Sequence, residues 1–266
     1  MKQERLRVEV VDGIAYVTLD RADKMNSLDL PMMQALASVP DQLTRDRSIR
    51  VVILRGDGRA FCTGLDFAGT KLSGLAGVRN FGKLPWQKTN LFQQACWAWR
   101  ELPVPVIAAL HGHCYGGGLQ LALAADFRIT TPDCKLSIME AKWGLIPDMT
   151  GAVTLRELLP MDVAKRLTMT AEVFSGTDAL GYGLVTSVAD DPVAAAVELA
   201  AQLAERSPDA LVATKKLFHS TWTSSPRRTF WIESVLQLRL LRSRNHRLAR
   251  QAGRDGRPVW EPRSLA

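Results

Sequence analysis

The chain is poor in the features that mark several large classes of protein. Among its 266 residues there are four cysteines, Cys62, Cys96, Cys114 and Cys134. They show neither metal-ligand spacing nor the density of a small disulfide scaffold, so buried free thiols in a reducing compartment are expected. No stretch approaches the roughly 20 uninterrupted apolar residues of a membrane span, and the charged opening MKQERLRVEV leads into no apolar run of signal-peptide length. An intracellular, cytoplasmic protein with no membrane partner is the expectation. GxGxxG after a strand is absent, as is a glycine loop ending in Lys-Ser/Thr, which sets aside dinucleotide and phosphate-loop binding. The missing GxSxG elbow sets aside a serine hydrolase of that type. His111 and His113 would share a strand face, yet no third ligand accompanies them, so no metal site is expected.

The charge is unevenly placed along the chain. Residues 227–266 hold ten arginines against Glu233, Asp255 and Glu261, which equals the formal charge of +7 of the whole chain and leaves the rest neutral. Such asymmetry fits a polyanionic partner (RNA, a membrane surface or a multiply phosphorylated cofactor) or simply a solvated helix face. With 47% hydrophobic and 23% charged residues, the chain can bury a full-sized core. One large domain with an appendage is expected, divided as residues 1–191 and 192–266.

VEVVDGIAYVTL alternates around Asp12-Gly13, a hairpin signal. SLDLPMMQALASVPDQL has a helical pattern, and VVILRG is a continuous β-branched run of the kind buried on both faces of a sheet. VPVIAALHG and DFRITT read as further strands, with a helix from Gly116 to about Ala125 between them. The alternation predicts an α/β fold whose sheet, given the hairpin, is not purely parallel. From Pro192 onward three helices are expected, each starting near Asp-Pro or Ser-Pro, where a cap precedes proline at the first helical position. The third runs from about Ser225 past Arg250, with Trp231, Val235, Leu238 and Leu241 as a stripe toward a partner.

Two loops stand out, GRAFCTGLDF and HGHCYGGGLQL, each following a strand-like run. Three consecutive glycines lower helix stability by roughly 1 kcal/mol each relative to alanine, so close approach to the backbone must compensate. Two readings stay open: tight strand-to-helix packing, or backbone N–H groups from both turns converging on one oxygen, helped by the dipole of the helix that begins there. In KLSIMEAKWGLIPDMTG, Glu140 and Asp148 are carboxylates flanked by apolar residues. Burial among Met139, Trp143 and Ile146 would raise a carboxyl pKa toward useful acid/base range. The alternative is that Glu140 caps a turn and Asp148 opens a helix.

Taken in order, AFCTGLD, HGHCYGGGLQLALAADFRI, EAKWGLIPD and FSGTDALGYGLVTSV resemble the enoyl-CoA hydratase/isomerase (crotonase) family, from about Arg5 to Trp260. The resemblance implies a crotonase-like spiral of ββα units and a C-terminal helical region that builds homotrimers, often paired into hexamers. It implies an acyl-CoA substrate, with coenzyme A present only as part of the thioester and no permanently bound cofactor. The thioester carbonyl would lie between the amides of Leu65 and Gly117, in a site lined by Gly64, Gly116, Gly118 and Gln120. Glu140 matches the family's catalytic acid. Where family hydratases carry a second glutamate this chain has Gln120, which cannot accept and return a proton, so double-bond isomerisation is expected over efficient hydration. Asp148 matches the second proton carrier of dienoyl-CoA isomerases. Lys24 and Arg257 fall where the family tends to border CoA, and residues from about Gly69 to Phe92 would shape the acyl pocket. Hydration, thioester hydrolysis or ring-opening, and RNA binding through the basic helix remain as alternatives. RNA is disfavoured because Trp231 fits the apolar stripe rather than a stacking face.

Overall fold

Asp12 and Gly13 both adopt positive φ, 50° and 77°, the backbone a two-residue turn between right-twisted strands demands. They join β2 (Leu6–Val11) to β3 (Ile14–Leu19) as an antiparallel pair. The computed structural model describes residues 2–67, 82–83, 85–253 and 256–265. In chain order the further strands of the main sheet are β1 (Lys2–Gln3), β4 (Val51–Gly56), β5 (Val106–Leu110), β7 (Phe127–Thr130) and β9 (Ser187–Val188). Among the described residues that sheet has seven strands in the order β1-β2-β3-β4-β5-β7-β9. The first two pairings are antiparallel and every later one is parallel.

Helices α1 (Leu30–Arg45), α2 (Leu91–Glu101), α3 (Gly117–Leu123), α4 (Gly151–Leu158), α5 (Met161–Thr170) and α6 (Gly176–Tyr182) follow the strands of the core. The continuous run in β4 has the predicted cause. Val52 and Leu54 bury into the cluster shared with α1 and α2, while Val51 and Ile53 meet Ile107 and Ala109 of β5 on the other face. Two short strands, β6 (His113–Tyr115) and β8 (Lys135–Ser137), pair in parallel as a second layer. Cys62 bridges to Cys114 and Leu136 to Phe174 at its two edges. Each central strand is therefore followed by a piece of the second layer and then by helix: β4, Cys62, α2; β5, β6, α3; β7, β8, α4. This is the spiral of ββα units. It places the loop after Cys62, the start of α3 and the turn after β8 side by side.

The second face of the sheet is covered by α7 (Pro192–Ala204), through Ala196 and Ala200. The first helix of the region beginning at residue 192 thus packs directly on the sheet. Asp191 caps α7, accepting from the amides of Val193 and Ala194, and Ser207 caps α8 (Pro208–Thr221). The expected single last helix is two, α9 (Pro226–Arg242) and α10 (Arg244–Ala252). Ser243 ends one and caps the other, its hydroxyl accepting from His246 N at 3.1 Å. Asn245 then turns inward, donating to the buried Asp209 at 2.9 Å. Periodicity continues across Ser243, so only this local cap and a distant carboxylate reveal the break.

The stripe on α9 is open. Trp231, Leu238 and Leu241 are exposed, whereas Leu236 is the residue buried against α8. Phe230 and Trp231 stand exposed beside Arg227 and Arg228, so Trp231 is not withdrawn from the arginines as the sequence suggested. Arg263 is not part of a solvated face: it is 2% exposed and donates to the carbonyls of Thr44 and Asp46 at the end of α1. No helix among the described residues is long and apolar enough to cross a membrane. The four cysteines are free and buried.

Candidate active site

Gly64 and Gly116 bring the two loops together. Gly64 has φ of 83°, and a Cβ on it would stand 2.8 Å from the Tyr115 carbonyl oxygen and 3.4 Å from the Gly117 nitrogen. Only a bare backbone in the left-handed region allows that approach. Leu28 N donates to Gly64 O, and Asp66 N to Leu28 O. This parallel bridge turns the N–H of Leu65 to the opposite edge. Gly117 opens α3, where the first amides of a helix have no partner within it. Among the described residues neither the Leu65 nor the Gly117 amide has an acceptor, and both residues line a cavity of about 220 Å³. Because α3 has only seven residues, the two directed amides carry this arrangement more than the helix dipole does.

The three glycines have three separate reasons. Gly116 has φ of 50° with ψ of −123°, and Gly117 leaves room for Met149 Sδ and Leu28 Cδ1, which a Cβ would meet at 2.8 and 3.1 Å. Gly118 does not line the cavity as expected. It packs on Cys62, whose carbonyl oxygen a Cβ would approach to 2.5 Å, so at this position tight packing is the reading that holds.

Glu140 begins a short 3-10 turn, Glu140–Trp143, and lines the same cavity with Asp148. Gln120 stands behind it, 2% exposed and not on the cavity wall. Its Oε1 accepts from Gly151 N at 2.9 Å and its Nε2 donates to Glu140 Oε1 at 2.5 Å. An N–H cannot accept, so the Gly151 amide fixes which end of the Gln120 side chain faces Glu140. Glu140 Oε2 is buried without a partner.

Burial raises the Glu140 pKa, opposed by hydrogen bonds from the backbone at Glu140 and from Gln120, while the charge of Asp148 adds a smaller push upward. Asp148, more open, is also raised, by partial desolvation. Trp143 and Ile146 do not bury Glu140 as expected: they are 57% and 73% exposed and rim the mouth. The turn at Gly144, with φ of 71°, sends this segment outward. Asp148 does not open a helix, since α4 starts at Gly151.

Thr63, Phe67, Leu145 and Met149 also line the cavity and were not singled out in the sequence. Phe67 closes the glycine loop motif and Met149 follows Asp148, but nothing local distinguishes them from core residues. Cys96 lies close enough for both acids to push up its thiol, chiefly raised by burial, and Cys62 is pushed up to about 12; neither is a thiolate nucleophile. Lys24 and Arg257 are exposed and not on the cavity wall. Lys24 adjoins Met25, whose carbonyl accepts from Thr63 N. The pocket-shaping segment from Gly69 falls largely outside the described residues, at 68–81 and 84, although Phe92 at its end lines the cavity. His111 meets Gly58 O and His113 meets the Tyr115 hydroxyl. Among the described residues no three His, Cys, Asp or Glu side chains gather as metal ligands.

A sequence profile described as enoyl-CoA hydratase/isomerase matches residues 9–261. The (E)-benzylidenesuccinyl-CoA hydratase of Thauera aromatica is 34% identical over 217 residues, 79% of this chain and 80% of its own length. The carnitinyl-CoA dehydratase of Salmonella typhi is 34% identical over 212 residues, 78% of this chain and 77% of its own. Among solved structures, an enoyl-CoA hydratase from Bacillus anthracis is similar with a TM-score of 0.89 at 26% identity, covering 97% of this chain and 100% of that one.

Proposed function

Because the chain belongs to the enoyl-CoA hydratase/isomerase family, whose members act on CoA thioesters, we propose that its cavity forms and reprotonates a thioester enolate with Glu140 as the base. The amides of Leu65 and Gly117 hold the thioester oxygen, each such donor lowering the barrier by roughly 3 kcal/mol when aimed at developing charge. Glu140 Oε2 removes a proton from C2 of a 3-enoyl thioester, and the electron pair delocalises onto the carbonyl oxygen. The same carboxyl returns the proton to C4, leaving the 2-enoyl thioester. With a dienoyl substrate, Asp148 takes the more distant proton. The observation that carries this reading is the Gln120 amide, held between Gly151 N–H and Glu140. It positions the base and has no proton to exchange. Lys24 and Arg257 would meet the CoA phosphates, and the open stripe of α9 would join copies of the chain into a trimer.

Hydration is the second reading, favoured by the hydratase and dehydratase names of the relatives. Asp148 shares the cavity with Glu140 and would hold the water in place of a second glutamate. Mass spectrometry of 2-enoyl-, 3-enoyl- and 3,5-dienoyl-CoA incubated with the protein in deuterated water separates the two. Bond migration with no added water, lost in Glu140→Ala, supports isomerisation, with deuterium entering C4 to the extent that the Glu140 proton exchanges with solvent between the two steps. Rapid addition of water to the 2-enoyl substrate supports hydration instead.

A further inference from the structure

Four large apolar side chains stand open around the cavity mouth. Phe67, Trp143, Leu145 and Ile146 are 43%, 57%, 46% and 73% exposed, and all line the cavity. Single exposed apolar residues need no explanation, but a contiguous set around a cleft marks a surface that a ligand covers. Phe67 and Trp143 come from separate loops, one just beyond Leu65 and the other just beyond Glu140. Their ring centroids nevertheless lie 5.0 Å apart with planes at 43°. A methyl group added to Gly144, between Trp143 and Leu145, would touch nothing within 4 Å, so the turn that presents this rim is itself open.

Charge and size narrow the occupant. Among the described lining residues the ionisable groups are Glu140 and Asp148, with no cation. Among the described residues a carboxylate on the acyl chain would find no partner on the cavity wall and two acids of its own sign. The volume, about 220 Å³, exceeds the roughly 150 Å³ of a cavity that accepts benzene by only enough for a short linker. We infer that Phe67 and Trp143 are specificity-determining residues that select a short, uncharged acyl group ending in an aromatic ring. The ring lies against the tilted pair, where aromatic contacts contribute beyond burial alone, and the thioester reaches the Leu65 and Gly117 amides.

This rests on the acyl-CoA reading above, and the test separates the two. Isothermal titration of 4-phenylbutanoyl-, hexanoyl- and adipoyl-CoA, all saturated, measures binding without turnover in the wild type, Trp143→Ala and Phe67→Leu. The phenyl thioester should bind roughly tenfold tighter than hexanoyl-CoA, and adipoyl-CoA weaker than either. Trp143→Ala should weaken binding of the phenyl thioester by more than that of hexanoyl-CoA and so remove the preference, with circular dichroism unchanged because the side chain is exposed. Phe67→Leu should reduce the preference independently, which keeps the inference testable should the tryptophan variant misfold. Equal wild-type affinities, or a preference untouched by both substitutions, overturns the clamp and leaves the acyl-CoA reading standing. Failure of all three thioesters to bind removes both.

Discussion

The inner end of the cavity and its mouth are built on opposite terms. Inside, Gly64, Gly116, Gln120 and Glu140 are held by backbone contacts and hydrogen bonds that leave little freedom, and the unsatisfied Glu140 Oε2 is the exception. At the mouth, Phe67, Trp143, Leu145 and Ile146 are exposed. On the proposed function the contrast separates chemistry from choice: the reacting groups would be positioned before substrate arrives, at the cost of a carboxyl kept from water, whereas the rim would gain its burial only from what binds.

The largest effect should come from breaking the inner end. Glu140→Gln is expected to lower kcat by about 10²–10⁴, yet to stabilise the fold. Burial raises the folded-state pKa of Glu140, so its stabilising contribution is full below the unfolded value and is lost as pH rises through the folded one. The variant should therefore melt above the wild type at about pH 8 and match it near pH 4; equal melting at both would show that the carboxyl is not strained by burial. Gly118→Ala forces a methyl against the Cys62 backbone and should cost about 1–3 kcal/mol of stability, read by chemical denaturation.

Gln120→Ala sharpens the comparison from behind the base. Glu140 loses its side-chain donor, so its pKa should rise further and the acid limb of the kcat profile should move to higher pH; loss of the Gly151 bond should cost about 1–3 kcal/mol. A profile that stays in place would deny Gln120 its positioning role. Gln120→Glu would set two carboxyls face to face, and they should share a proton, appearing as a second ionisation in the same profile. The smallest change belongs to the mouth: Trp143→Ala should alter stability by less than about 0.5 kcal/mol, with its effect confined to acyl selectivity.

Much of this was legible because it is local. The Asp-Gly hairpin, the doubly buried VVILRG strand, the paired glycine loops and the two carboxylates each depend on a few neighbouring residues. The lost parts depend on distant ones. Ser243 divides an uninterrupted periodic segment by capping the helix that follows, and Asn245 ties the break to Asp209. Gly118 looks like its neighbours until Cys62 is placed beside it. Trp143 and Ile146 read as apolar cover for Glu140, yet apolar character alone cannot say whether a side chain faces a core or a ligand.

The sequence by itself determined the α/β alternation, the two bare loops and the presence of an amide at Gln120, since backbone freedom, periodicity and side-chain chemistry are properties of the residues. Only the tertiary structure decided what that amide does. Its two hydrogen bonds reach residues far along the chain, and the direction of each is set by a donor or acceptor that folding alone brings within reach.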